Sequence, residues 1–130
     1  MMISRCLLFA VLVATPLMLQ AHHSVALNFS NETMTLEGTI SSVSWINPHS
    51  SFVLEVTNED GTTEEWLVEM LARIALQRGG FDFDDLQVGT QIQLTGRIGH
   101  KERTLNFTQA ILPNGKVVER NSPVSRPPTQ

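Results

Sequence analysis

From Met34 onward the apolar residues recur at every second position, and this alternation constrains the chain more than any other feature. Leu36, Gly38 and Ile40 fall on one face, and after a slip at Ser41-Ser42 the same face continues through Val43 and Trp45. Period two is the mark of a strand with one buried side. A slip of one residue in so long a strand predicts a bulge, and a bulged, bent first strand is how a small barrel turns a corner. Gly38 would ease the same bend.

Pro48 has no N–H for a ladder and restricts Asn47, so the first strand is expected to stop near Ile46. Phe52, Leu54 and Val56 then alternate with Val53, Glu55 and Thr57 in a second strand, and Asn58-Glu59-Asp60-Gly61 reads as a hairpin turn. In a third strand Trp66, Val68 and Met70 share one face, with Glu65, Leu67 and Glu69 on the other. The period then changes. Met70, Leu71, Ile74, Ala75 and Gln77-Arg78 fit a short helix over 70–78, closed by Gly79-Gly80, with Arg73 and Arg78 toward its negative end. Leu86-Gln87-Val88-Gly89 turns into a fourth strand (Ile92, Leu94, Gly96, Ile98), and Leu105, Phe107 and Ile111 form a fifth. Asn114-Gly115 predicts a further small hairpin with Val117 and Val118, and Pro123, Pro127 and Pro128 mark a disordered tail.

This order predicts a mainly β fold, a five-stranded OB-fold-like barrel over about residues 34–112 with one short helix between strands 3 and 4. An immunoglobulin-like sandwich would need about seven strands and has no place for the helix. The expected core is Leu36, Ile40, Val43, Phe52, Leu54, Val56, Trp66, Val68, Ile74, Ile92, Leu94, Leu105, Phe107 and Ile111. A chain of 130 residues supports one such core and not two.

The first twenty-one residues read as a secretory signal: Arg5, an apolar run from Leu7 to Leu19, and the small Ala21 at its end. The run is interrupted by Pro16 and falls short of the roughly 20 apolar residues of a spanning helix. The only cysteine, Cys6, precedes the run, which excludes a lipidated cysteine and a disulfide in the exported chain. The expected division is 1–21 signal peptide, 22–33 N-terminal flank, 34–120 OB-like domain and 121–130 tail. The expected product is a periplasmic or secreted protein with no stable membrane insertion.

Nine basic residues stand against thirteen acidic ones, for a net charge of −4. Nucleic-acid binders need a basic stripe that displaces phosphate counterions, so this balance argues against one.

Chemistry therefore rests on few residues, above all the four histidines. Cleavage after Ala21 would make His22 the first residue, whose free amine and ring Nδ1 chelate one metal ion together. Nitrogen donors of this kind favour copper(II). Cleavage before Ala21 would make His23 the third residue, and amine, two backbone nitrogens and imidazole form a square-planar site. The plain alternative is that His22-His23-Ser24 is a solvated flank. His49, in the connection between strands 1 and 2, is the preferred further donor, because in OB-folds that loop and the loop between strands 4 and 5 frame the ligand site. Trp45, Asn47 and His100 are candidate rim residues. Asn47 and His49 could equally satisfy backbone groups in a tight proline turn, as could His100 in its own loop.

The segments Ala21-His22-His23-Ser24, Trp45-Ile46-Asn47-Pro48-His49, Asp60-Gly61, Trp66 and Leu86-Gln87-Val88-Gly89 together resemble small exported bacterial proteins of domain of unknown function family 6152. The resemblance covers nearly the whole exported chain. It implies a bacterial, periplasmic OB-like domain and transfers no activity. Members carry an aromatic after the serine and acidic residues shortly beyond, where this chain has Val25, Asn28 and Ser30, and His100 has no counterpart in the family pattern.

No glycine-rich phosphate loop, nucleophile elbow or zinc-type histidine pair is present, so no catalytic residue is assigned and an enzyme is the weaker expectation. Asp82, Asp84 and Asp85 lack the glycine and distal glutamate of a calcium loop and read as a solvated turn. Two functions from different classes remain: a copper-binding or copper-handling exported protein, and a non-catalytic OB module that binds a peptide, glycan or protein partner of the cell envelope.

Overall fold

The computed structural model describes residues 27–120. They form β1 (Phe29–Ser44), β2 (Ser51–Thr57), β3 (Thr63–Glu69), α1 (Arg73–Arg78), a 3-10 turn over Phe83–Asp85, β4 (Gln91–Gly99), β5 (Thr104–Ile111) and β6 (Val117–Glu119). All strands belong to one sheet in the order β3-β2-β1-β4-β5-β6, and a parallel pairing of β3 with β5 closes the first five into a ring. This ring order, with the helix between β3 and β4, is that of the OB-fold and not of a two-sheet sandwich.

β1 makes closure possible. It pairs with β4 from Phe29 to Thr39 and with β2 from Thr39 to Ser44, so Thr39 serves both neighbours. The register with β2 slips between Ile40 and Ser42, where the one-residue bulge was expected. The hairpin and turn glycines Gly61, Gly89 and Gly115 all have positive φ. In the β2–β3 turn, the Thr62 hydroxyl and N–H both donate to Asp60 Oδ1 and hold that carboxyl below its usual value.

The core lies inside the ring. Ile40, Phe52, Leu54, Val56, Val68, Ile92, Leu94, Leu105 and Phe107 are buried as expected, and Leu36, Val43 and Trp66 pack against them half-buried. Four expectations need correction. β1 begins at Phe29 instead of Met34: Phe29 is buried and pairs with Gly99, although the polar Ser30–Thr33 stretch beyond it has no alternation to announce a strand. The strand also ends at Ser44, before Ile46.

The helix begins at Arg73 instead of Met70, because Met70 and Ser50 extend the β2–β3 contact: the Met70 N–H donates to Ser50 O at 2.8 Å and the Ser50 N–H to Leu71 O at 3.1 Å. Arg73 therefore sits at the positive end of α1 and only Arg78 at the negative end. The later start also turns the helix. Leu76 is buried with Phe81 and Leu86, while Ile74 is 47% exposed.

Ile111, finally, is half-buried and outside the core. Between Thr95↔Gln109 and Gly96↔Phe107 the β4–β5 register skips Thr108, and this second bulge passes the inward face from Leu105 and Phe107 to Ala110 and Leu112.

Candidate functional site: the loop rim

Two loops frame the ligand face of an OB-fold, and here the first is locked in place by its backbone. Ser50 is fully buried, and its hydroxyl donates to Ile46 O at 3.1 Å. The Arg73 N–H donates to Ile46 O at 3.0 Å, which ties the loop to the start of α1. The Asn47-Pro48 peptide bond is cis.

Asn47 has a defined structural role. Its Oδ1 accepts from the Ile74 N–H at 3.1 Å, in the first turn of α1, where the N-cap residue Ala72 offers no side-chain acceptor. The loop thus caps a helix remote in sequence. Asn47→Ala should cost about 0.5–2 kcal/mol of stability, the ordinary range for a lost cap, and urea denaturation against the parent chain measures it.

Trp45 belongs to an aromatic cluster. Its ring meets Phe83 edge-on at 5.1 Å and Phe81 at 5.9 Å, and the Arg73 guanidinium lies 5.8 Å from the Phe83 centroid. His49 is exposed at the end of the same loop.

The second loop, between β4 and β5, carries His100, also exposed. Its backbone N–H donates to Asn28 O at 2.8 Å, so it is fastened to the residue before β1. His49 follows the opposite end of β1, and the strand's sixteen residues separate the two histidine loops by about 50 Å of chain contour. His22 and His23 lie outside the described residues. Among the described residues no group of three or more His, Cys, Asp or Glu side chains is gathered closely enough to hold a metal ion.

The outer face of β2 and β3 between these loops is acidic, with exposed Glu55 directly opposite exposed Glu65 and half-buried Glu69 nearer the rim. Of the turn Asp82, Asp84 and Asp85, expected to be solvated, Asp82 and Asp84 are exposed, with Asp82 Oδ1 accepting from the Asp84 N–H at 3.0 Å, whereas the Asp85 side chain is largely covered and pairs with Lys116 at 2.8 Å. The bond to Asp85 raises the Lys116 ammonium above its usual value.

Ring order and the helix between β3 and β4 define an OB-type domain, with His49 on its β1–β2 loop and His100 on its β4–β5 loop. The chain belongs to a family of unknown function, DUF6152, which matches residues 10–107. The N-terminal domain of PriB protein from Thermoanaerobacter tencongensis, solved as a dimer, is similar at 21% identity and a TM-score of 0.47, over 68% of this chain and 98% of that one. No curated protein matches the chain. Among the described residues no helix is long and apolar enough to cross a membrane.

Proposed function

We propose that the chain is an exported, periplasmic OB-type protein that binds one copper ion through its mature N-terminus, with a rim histidine as a further donor. The observation that carries this reading is the 2.8 Å bond from the His100 N–H to Asn28 O. Five or six residues separate Asn28 from His23 and His22, a covalent reach of no more than about 20 Å at 3.3–3.6 Å per residue. An imidazole therefore stands on the loop beside the point where the histidine segment joins the fold. The amine and Nδ1 of His22 supply two nitrogens from one residue, His23 is a substitute or additional ligand, and His100 is the rim donor this bond favours over His49.

Titration of the exported protein with copper(II), after mass spectrometry has established its first residue, tests the reading. One-to-one uptake is expected, lost in His22→Ala, weakened in His100→Ala and little changed in His49→Ala. Uptake should also weaken as pH falls through about 6–8, since amine and imidazole must lose protons to coordinate. Weakening in His49→Ala alone would move the rim donor to the β1–β2 loop. A chain that retains Cys6, or equally poor binding in every variant, overturns the copper reading.

The second reading, a partner-binding OB module, is favoured by a different observation. Ile46 and Ile74 are 54% and 47% exposed, and the bonds from the Arg73 and Ile74 N–H groups to Ile46 O and Asn47 Oδ1 bring the two segments that carry them together. An apolar rim of this kind suits a peptide or protein surface.

A further inference from the structure

Arg97 and Arg120 stand out in an acidic chain because each is half-buried without a carboxylate partner. The ion pairs among the described residues are Arg103 with Glu102 and Lys116 with Asp85, and neither includes these two side chains. Neutral oxygens hold them instead. Arg97 Nε donates to Ser30 O at 2.8 Å, and its Nη2 donates to Asn31 Oδ1 at 3.1 Å and to Phe29 O at 3.5 Å. Arg120 Nη1 donates to Asn106 Oδ1 at 3.0 Å.

Asn106 brings the two together. It is buried, its Nδ2 donates to Glu69 O at 3.3 Å, and its backbone stands directly opposite Arg97 in the β4–β5 ladder. Burial, and then the charge of Arg97, push the Arg120 guanidinium below its usual value. Guanidinium remains charged at neutral pH all the same. The Arg97 guanidinium reaches from β4 to the start of β1 and the Arg120 guanidinium holds the Asn106 amide on β5, so two like charges share one face of the sheet, at a cost that an anion shared by both would reverse. Arg97 keeps Nη1, and Arg120 keeps Nε and Nη2, without a protein acceptor among the described residues.

We propose that Arg97 and Arg120 together bind a single oxyanion, a carboxylate or phosphate group, on the β4–β5 face beside Asn106. Forked N–H donors match the paired oxygens of such groups, which a halide lacks. The backing is already ordered: Arg97 is tied to the start of β1 and Arg120 to a buried side chain, so little freedom is lost on binding. A single group fits better than a long polyanion, because Glu69 stands beside Asn106 in the β3–β5 ladder and Glu65 and Glu55 continue the same acidic face. This site is independent of the copper reading and shares none of its ligands.

The full chain, titrated with inorganic phosphate and separately with acetate at ionic strength held constant with sodium chloride, tests the proposal by NMR of the arginine side chains. Saturable shifts of the Arg97 and Arg120 signals are expected. Arg120→Gln should weaken phosphate binding by roughly tenfold or more, as the loss of a charge-assisted hydrogen bond implies. Arg120→Lys should recover part of it, keeping the charge without the fork. Arg97 also secures β1, so Arg120→Gln, shown folded by near-ultraviolet circular dichroism, is the deciding variant. Shifts that chloride reproduces, or phosphate binding by Arg120→Gln equal to that of the parent, overturn the site. Phosphatidylcholine vesicles with and without phosphatidylglycerol distinguish the source: Arg120-dependent co-sedimentation assigns a lipid headgroup, and phosphate binding without it assigns a soluble anion.

Discussion

Phe107→Ala is expected to cost about 3–5 kcal/mol, the range for an aromatic side chain removed from a close-packed core. The ring is wholly buried and meets Phe52 edge-on at 6.2 Å between centroids. It projects from β5, the strand that closes the ring through its parallel pairing with β3, so its loss opens a cavity next to the closing ladder. A domain of this size has about 5–15 kcal/mol of stability in all, and the variant should therefore unfold at much lower urea. Ile111→Ala serves as the comparison. If the bulge at Thr108 has turned Ile111 out of the core, that substitution should cost clearly less than Phe107→Ala. Equal losses, or a loss below about 1 kcal/mol at Phe107, would contradict the inward face assigned to β5.

The two bulges show what a sequence reveals of such a ring. The slip at Ser41 was legible because strong apolar residues, Ile40 and Val43, stand on either side of it and cannot share a strict alternation. The slip at Thr108 was hidden because the residue it turns inward is the small Ala110, while the bulkier Ile111 prolongs the apparent period from Phe107. A six-residue helix is too short for its period to fix a face, so Leu76 and Ile74 could not be ranked before the contacts of Ser50 with Met70 and Leu71 set where the helix starts.

The candidate site divides in the same way. That His49 and His100 lie on the two rim loops follows from strand order alone, which the alternation predicts. That the His100 loop is fastened to Asn28, that Asn47 caps α1, and that Arg97 and Arg120 both adjoin Asn106 all depend on contacts between residues distant in sequence. No local pattern encodes them. The plain reading of Asn47, a side chain satisfying backbone groups, describes its contact with Ile74.

Gly38→Val is expected to be the most disruptive change outside the buried side chains. Gly38 lies just before Thr39, where β1 passes from β4 to β2, and the strand there runs so close over β2 that any Cβ would press on the Glu55 carbonyl oxygen and sit 2.9 Å from Leu54 Cγ. Its backbone needs no left-handed conformation, so the cost is steric. A carbonyl engaged in the sheet cannot move aside as the end of a flexible side chain could, and Leu54 is itself wholly buried. Overpacking of this kind costs about 1–3 kcal/mol and more where backbone must shift. At about 4–8 °C per kcal/mol for a domain near this size, Gly38→Ala should lower Tm by several degrees and Gly38→Val by more than 10 °C. Because the strain falls where β1 changes partner, amide exchange should rise first at Ile40 and at the β2 residues that pair with the end of β1. Gly61→Ala separates the two uses of glycine: its added Cβ meets nothing within 4 Å, and only the positive φ of 83° opposes it. That variant should lose less than Gly38→Val and leave exchange in β1 unchanged. A Gly38→Val chain as stable as the parent would mean that β1 does not cross tightly over β2, and the ring would then be open on that side.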